Sequence, residues 1–321
     1  MSNIPVKNRE IVKVQGHEVS ISNLDKVFWE EEGYTKAHLI NYYVQVFPYL
    51  APHLAERPLV VTRYPSGAGG KGFYQKNAPE GTPEWVHTYP VYSSHSRRCL
   101  NFVICDNLAT MVWLANQASI ELHPWMSRIG SLDRPDFVVF DLDPSEGATY
   151  EDVCQVAEII REVLNYLQLR FYLKTSGATG LHVFVPVINT HTYDELRDFV
   201  RRVAETVVSL IPEKATVVRK VKDRQEKVYV DYLQNIQGKT VCSPYSVRPR
   251  PGAPVSAPIN WDELRKTQPA DFNIVTVPPR LKRKGDIFTG VITEPQKIDE
   301  AYRRLNLNFP ARREPDPVST E

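Results

Sequence analysis

The chain has 321 residues, a net charge of +1, 42% hydrophobic and 24% charged residues. That describes a globular protein of one large domain or two ordinary ones, with no apolar run long enough to span a membrane and no bulk charge announcing a nucleic-acid partner. The opening residues MSNIPVKNREIVKVQG lack an apolar signal core and the four cysteines form no CxxC pair, so a reduced, cytoplasmic protein is expected. His95, Cys99 and Cys105 match no common zinc spacing.

In chain order, KAHLINYYVQVFPYL sets Leu39, Tyr43, Phe47 and Leu50 at helical spacing. RYPSGAGGKGFYQKNAPEGTPEW, from Arg63, reads as a glycine- and proline-rich loop. NLATMVWLANQASIEL reads as one buried helix, with His123 at its end. From Asp136 the pattern becomes regular. Strand 136–143 is followed by a helix whose Thr149 and Asp152 resemble a capping box, and then by strand RFYLKT, the tight turn SGATG and strand LHVFVPV. A helix started by Thr192 with Glu195 three residues on leads to strands TVVRKV and KVYVDYL. The order β-α-β-β-α-β, with one strand added, is ferredoxin-like and also that of RNA-recognition-motif (RRM) domains, with both helices on one sheet face and the other face open. Past Gly252 the chain turns proline-rich, then basic (RLKRKGD), and residues 301–321 read as a flexible tail.

Side chains alternate along a strand, so Val138, Phe140 and Leu142 are expected to face the helices and Asp141 and Asp143 the other side. Two carboxylates at i and i+2 lie roughly 7 Å apart at Cα and repel unless a cation joins them. Asp231, with Tyr229 on the same face of its strand, is a candidate third ligand, and three aspartates form the usual frame for two divalent ions in phosphoryl or nucleotidyl transfer. The bland alternatives are a helix-capping DxD and a hydrogen-bonded structural Asp231. KTSGATGLHV offers backbone amides and the Ser176 hydroxyl to a phosphate, with His182 on the strand behind, or is an ordinary hairpin with a core histidine. Arg248 and Arg250 in SVRPRPG have the spacing to grip a triphosphate, unless they make surface salt bridges. From Lys214 to Arg250 nine basic residues face three acidic ones, a locally basic surface or a solvated face.

FDLDP, SGxxGxHV, and VYVDYLQN followed by SPYSVRPRPGAPVSAPINWDEL together resemble the polymerase, primase-like domain of bacterial ATP-dependent DNA ligase D, in the archaeo-eukaryotic primase superfamily. The resemblance covers nearly the whole chain, including SNLDKVFW near its start. It implies an α/β (α+β) fold: a primase-type catalytic core with an RRM-like half at 131–250, an N-terminal α/β part at 1–130 and an extension at 251–300. By this resemblance Asp141, Asp143 and Asp231 hold two Mn²⁺ or Mg²⁺ ions. His123, Ser176, His182, Arg248 and Arg250 contact the incoming nucleotide. Asn23, Lys26 and Lys36 bind a DNA 5′-phosphate, and Phe73 and Tyr74 stack on the template base. Many relatives carry lysine or arginine where this chain has Thr179. The implied activity is template-directed gap filling and end extension in non-homologous end joining, with a preference for ribonucleotides. The implied partners are a Ku homodimer and a DNA ligase, fused or separate, since no KxDG adenylation motif occurs in the chain. Two competing readings are a haloacid-dehalogenase-like phosphatase, suggested by the strand-end DxD, and a non-catalytic DNA-end binding module.

Overall fold

The computed structural model describes residues 9–93 and 97–305. His95 therefore lies outside the described residues, and Cys99 and Cys105 are free thiols, the first exposed and the second buried.

The N-terminal part opens with the hairpin β1 (Arg9–Val14) and β2 (His17–Ser22) and the short pair β3 (Val27–Trp29) and β4 (Tyr34–Thr35). Helix α1 (Lys36–Leu54) follows and buries Leu39, Tyr43, Phe47 and Leu50, as their spacing predicts. A second sheet gathers β5 (Leu59–Arg63), β6 (Phe73–Gln75), β7 (Thr88–Ser93) and β8 (Arg98–Val103). The expected single helix over 107–122 is two elements: α2 (Leu108–Asn116) and β9 (Ser119–Pro124), which pairs with β5. Ala118 breaks the run with a left-handed φ of 63°. Every residue of β9 is buried, and Ser119, Glu121 and His123 alternate with Ile120, Leu122 and Pro124, the period of a strand that the short run masks by following directly on an apolar helix.

The RRM-like half consists of β10 (Phe137–Pro144), α3 (Tyr150–Tyr166), β11 (Tyr172–Thr175), β12 (Leu181–Pro186), α4 (Tyr193–Leu210), β13 (Ala215–Thr216) and β14 (Val228–Asp231). Its sheet runs β13-β14-β10-β12-β11-β15, where β15 is Pro258–Ile259. The inner order β14-β10-β12-β11 is the ferredoxin-like arrangement. Both helices start where their capping boxes predict: Thr149 with Asp152, and Thr192 with Glu195. Val138, Phe140 and Leu142 pack with α3 and α4 in one large core that also takes in residues of the N-terminal part and of the segment beyond 251.

Three expectations fail here. TVVRKV is a strand only at β13; its charged remainder is exposed and ends in a 3₁₀ turn at Val221–Asp223. The sheet's second face is open only at the Asp141–Asp143 end, because Phe137, Val139 and Phe184 are covered by Met126, Val241, Phe288 and Val291. Nor does the tail begin at 301. After α5 (Val277–Lys284) and α6 (Gly290–Thr293), helix α7 (Asp299–Arg304) buries Ala301 and Tyr302, and the Tyr302 hydroxyl donates to the Glu195 carbonyl. Residues 306–321 lie outside those described. The phosphatase reading fails on topology: β10 is antiparallel to both neighbours, whereas an aspartyl nucleophile of that class stands on a parallel sheet.

Candidate active site

Strand register assembles the site. Asp141 pairs with Asp231 on one side and with His182 on the other, and His182 pairs in turn with Lys174. Four strands thus place Lys174, His182, Asp141 and Asp231 in one row across the sheet. Along β10 the same face passes from buried Phe137 and Val139 to partly exposed Asp141 and exposed Asp143, so the carboxylates emerge where the apolar cover ends.

The row borders a cleft of about 310 Å³ lined by Asp141, Asp143, His182, Ser176, Thr179, Gln234 and Cys242, with Tyr74, His123, Arg248 and Arg250. All five residues expected at the nucleotide therefore meet in one cavity with two of the three aspartates, and Asp231 stands on the adjoining strand. Its Oδ1 accepts from the Tyr229 hydroxyl at 3.0 Å and from the Leu233 amide at 2.8 Å. Arg224 lies 4.0 Å over the Tyr229 ring and donates to Asp143 Oδ2 at 3.3 Å.

Charge is unevenly balanced here. Burial raises the carboxyl pKa of Asp141, but His182 and Lys174 outweigh it and hold the group below the usual carboxylate range. Asp143 and Asp231 are both pushed up, first by burial and then by the Asp141 charge. His182 is pushed down to about 4, by burial and by the neighbouring Lys174. Two carboxyls strained by a third are what a hard divalent cation relieves, and an all-oxygen donor set suits Mg²⁺ or Mn²⁺. Asp231 Oδ2 and Asp143 Oδ1 have no hydrogen bond among the described residues, so the donors fit the ions. As the side chains stand, no three His, Cys, Asp or Glu among the described residues form a ready-made metal cage.

The glycine turn is shaped by packing more than by amide display. Ser176 Oγ accepts from the amides of Ala178 and Gly180, both at 3.1 Å, so these two N–H groups are turned inward and the hydroxyl hydrogen is what remains to offer. A Cβ on Gly180 would stand 2.1 Å from the Leu142 carbonyl oxygen, and one on Gly177 2.7 Å from Arg248 Cγ. His123 belongs to β9, not to a helix end. Its Nε2 is buried without a hydrogen-bond partner, 3.6 Å from Glu121 Oε2. Glu121 also holds Arg248 in an ion pair of 2.9 Å and accepts from the Tyr64 hydroxyl.

A second charged cluster lies on the N-terminal part. Lys36 is buried, and its ammonium donates to the carbonyls of Ser22 and Asn116. Lys26 donates to the Pro65 carbonyl at 2.5 Å. The Lys36 pKa is pushed down to about 8 by burial and by the charges of Lys26 and Arg63. None of these three cations makes an ion pair among the described residues, so the cluster holds positive charge in want of an anion. Asn23 contributes a left-handed turn (φ 52°) whose carbonyl accepts from the Lys26 amide. Phe73 and Tyr74 are not a pair on one face. They point to opposite sides of β6, Phe73 under the Arg63 guanidinium at 5.5 Å and Tyr74 beside the His123 ring at 5.9 Å.

Sequence reasoning missed Arg63, Glu121, Lys174, Arg224 and Gln234. Arg63 opposes Phe73 across β5 and β6, which a glycine-rich loop reading hides. The basic 214–250 stretch is engaged internally in part: Lys214 pairs with Asp152, Lys220 with Asp223, Arg224 with Asp143 and Arg248 with Glu121, while Arg219, Lys220, Lys222 and Arg250 are exposed.

An RRM-like sheet with Asp141 and Asp143 lining a cleft of about 310 Å³ and Asp231 on the adjoining strand is the frame of a primase-type core. Residues 35–288 match the model of the LigD primase-polymerase domain, and the chain belongs to that family. It is 35% identical over 280 residues to the bifunctional non-homologous end joining protein LigD of Bacillus subtilis, covering 87% of this chain and 45% of that protein. To the multifunctional LigD of Mycolicibacterium smegmatis it is 31% identical over 307 residues, covering 94% and 40%. The chain thus spans under half the length of these relatives. Its fold matches the polymerase domain of Mycobacterium tuberculosis ligase D, solved in complex with DNA, with a TM-score of 0.80 and 29% identity over 87% of this chain and 99% of that one. Among the described residues no helix is long and apolar enough to cross a membrane.

Proposed function

We propose that this chain is a nucleotidyltransferase that extends a primer 3′-OH by template-directed polymerisation, filling gaps and lengthening ends in non-homologous end joining. The observation that carries the reading is the cross-strand pairing of Asp141 with Asp231 beside a cleft that also holds Arg248, Arg250, His123, His182 and Ser176. Asp141, Asp143 and Asp231 would hold two Mn²⁺ or Mg²⁺ ions, which when bound neutralise developing charge and activate the attacking hydroxyl. Arg248, oriented by Glu121, and Arg250 offer guanidiniums to the triphosphate. Ser176 offers its hydroxyl hydrogen, and His123, held beside Glu121, lines the cleft where the nucleotide would lie. Lys26, Lys36 and Arg63, with the Asn23 turn, receive the DNA 5′-phosphate across the gap. The further parts of the proposal are ribonucleotide preference, a Ku homodimer and a DNA ligase as partners, and work in the cytoplasm at breaks on the nucleoid.

The test is extension of a primer opposite a 5′-phosphorylated gap, with rNTP against dNTP and Mn²⁺ against Mg²⁺. Templated incorporation, faster with ribonucleotides and with the phosphate present, is expected. Tight phosphate-dependent binding with no incorporation under any of these conditions would leave a DNA-end binding module instead.

A further inference from the structure

The far end of the sheet row is a lysine in an unusual setting. Lys174 is fully buried on β11, its ammonium makes no ion pair among the described residues, and the Phe184 ring lies 5.5 Å from Nζ. Its two hydrogen-bond partners are neutral: His182 Nδ1 at 2.8 Å and Ser256 Oγ at 2.5 Å. An unpaired buried ammonium is costly, so the position asks for a reason.

Proton bookkeeping supplies one. The Ser256 hydroxyl donates its hydrogen to the Thr175 carbonyl at 2.8 Å, so toward Lys174 its oxygen can only accept. An ammonium has donors and no acceptor, so His182 Nδ1 must accept as well. The imidazole hydrogen is then on Nε2, which lies 3.2 Å from Asp141 Oδ1, an acceptor when ionised. Every bond along the line Ser256, Lys174, His182, Asp141 is then satisfied in only one proton arrangement. We propose that Lys174 is a positioning residue that locks His182 in the Nε2–H tautomer, so that the imidazole presents a hydrogen and not a lone pair to the cleft. A serine or glutamine at 174 could accept as well as donate and would leave the ring free to turn over; an ammonium cannot. Resting on the polymerase reading, the consequence is that His182 donates to Asp141 or to a phosphate oxygen and ligates no cation, which leaves that task to the carboxylates.

The test is long-range ¹H–¹⁵N NMR of ¹⁵N-histidine-labelled protein, free of metal and nucleotide at neutral pH, with the His182 signals assigned by their loss in His182→Asn. The wild type should show a protonated Nε2 and a bare Nδ1. Ser256→Ala should keep that pattern, and Lys174→Met should shift it toward the Nδ1–H form or a mixture. Lys174→Met should also lose about 10–100-fold in metal affinity or extension rate. A wild-type ring protonated on Nδ1 overturns the proposal whether or not Lys174→Met folds, and so does a Lys174→Met protein whose His182 pattern is unchanged. The NMR arm needs neither primer nor nucleotide. An inactive protein with the Nε2–H pattern would defeat only the polymerase reading, and an active one with the Nδ1–H pattern only this inference.

Discussion

The cleft floor and the lysine cluster both present charge to a phosphate-bearing ligand, but they are built on opposite terms. The floor is mixed in sign: Lys174, His182, Asp141 and Asp231 stand on four neighbouring strands and offset one another in part. The cluster is of one sign: Lys26, Lys36 and Arg63 come from a turn, a helix start and a strand end, and burial, with their mutual repulsion added to it, lowers the Lys36 pKa to about 8. A mixed row on strands can be held rigid before any ligand arrives. A cluster of cations keeps its repulsion until an anion comes, and so discriminates for the anion. The floor would supply the chemistry, and the cluster the choice of which DNA end to hold.

The largest expected effect lies on the floor. Asp141→Ala or Asp231→Ala should lower primer extension by about a thousandfold or more, or ~4 kcal/mol of barrier, while binding of 5′-phosphorylated DNA stays close to wild type. Steady-state extension beside a fluorescence-anisotropy titration reads both. If either variant extends normally the catalytic row is wrong, and if DNA binding falls in step with extension the two regions are not separable.

The rigidity of the floor can be broken without touching a charge. Gly180→Ala would drive a Cβ to 2.1 Å from the Leu142 carbonyl, directly between the two aspartates' strand and the turn. We expect a loss of about 1–3 kcal/mol, read as a lower denaturant midpoint at unchanged slope. Wild-type stability in this variant would mean that the turn is free to move.

Most of this floor was legible in the sequence, for physical reasons. Alternation on β10 fixes which side Asp141 and Asp143 face, the capping boxes at Thr149 and Thr192 fix where α3 and α4 begin, and the β-α-β-β-α-β succession gives the ferredoxin-like strand order. What alternation does not carry is cover. Nothing in FVVFDLDP says that Phe288 and Val291, some 150 residues later, close over Val139. The segment ASIEL failed for a different reason: Ser119, Glu121 and His123 do alternate with Ile120 and Leu122, but the run is short and follows directly on the apolar helix α2, so it reads as that helix's last turn. In the cluster, Lys26 and Lys36 were reached only through resemblance and Arg63 not at all, because the three share no local pattern and meet only in three dimensions.

The cluster's discrimination is the next thing to break. Lys36→Met should reduce the affinity gained from a 5′-phosphate by roughly tenfold, since a positive charge beside the phosphate is lost even though the three N–H groups of that ammonium are held by Ser22 and Asn116. In the wild type the same gain should depend on pH with a definite sign. A bound phosphate raises the Lys36 pKa above its free value of about 8, so the gain is complete near pH 7 and falls away as pH rises past 8. Lys36→Met should flatten that limb. Binding titrations with and without the 5′-phosphate from pH 6.5 to 9.5 read it, and a wild-type profile that is flat across this range would remove Lys36 from the phosphate site.

The smallest effect sharpens the comparison most, because one short strand serves both regions. On β6, Phe73 lies under Arg63 on the cluster's side, whereas Tyr74 faces His123 in the cleft. Adjacent strand residues cannot stack on one base from the same face. Tyr74→Ala should therefore raise KM for the incoming nucleotide by about threefold to tenfold, near 1 kcal/mol of stacking, and leave the 5′-phosphate preference intact. Phe73→Ala should do the reverse, weakening gapped-DNA binding by a similar factor with little change in nucleotide KM. If the two substitutions give the same kinetic signature, the aromatic residues act as one platform and the division between floor and cluster does not extend to the strand that joins them.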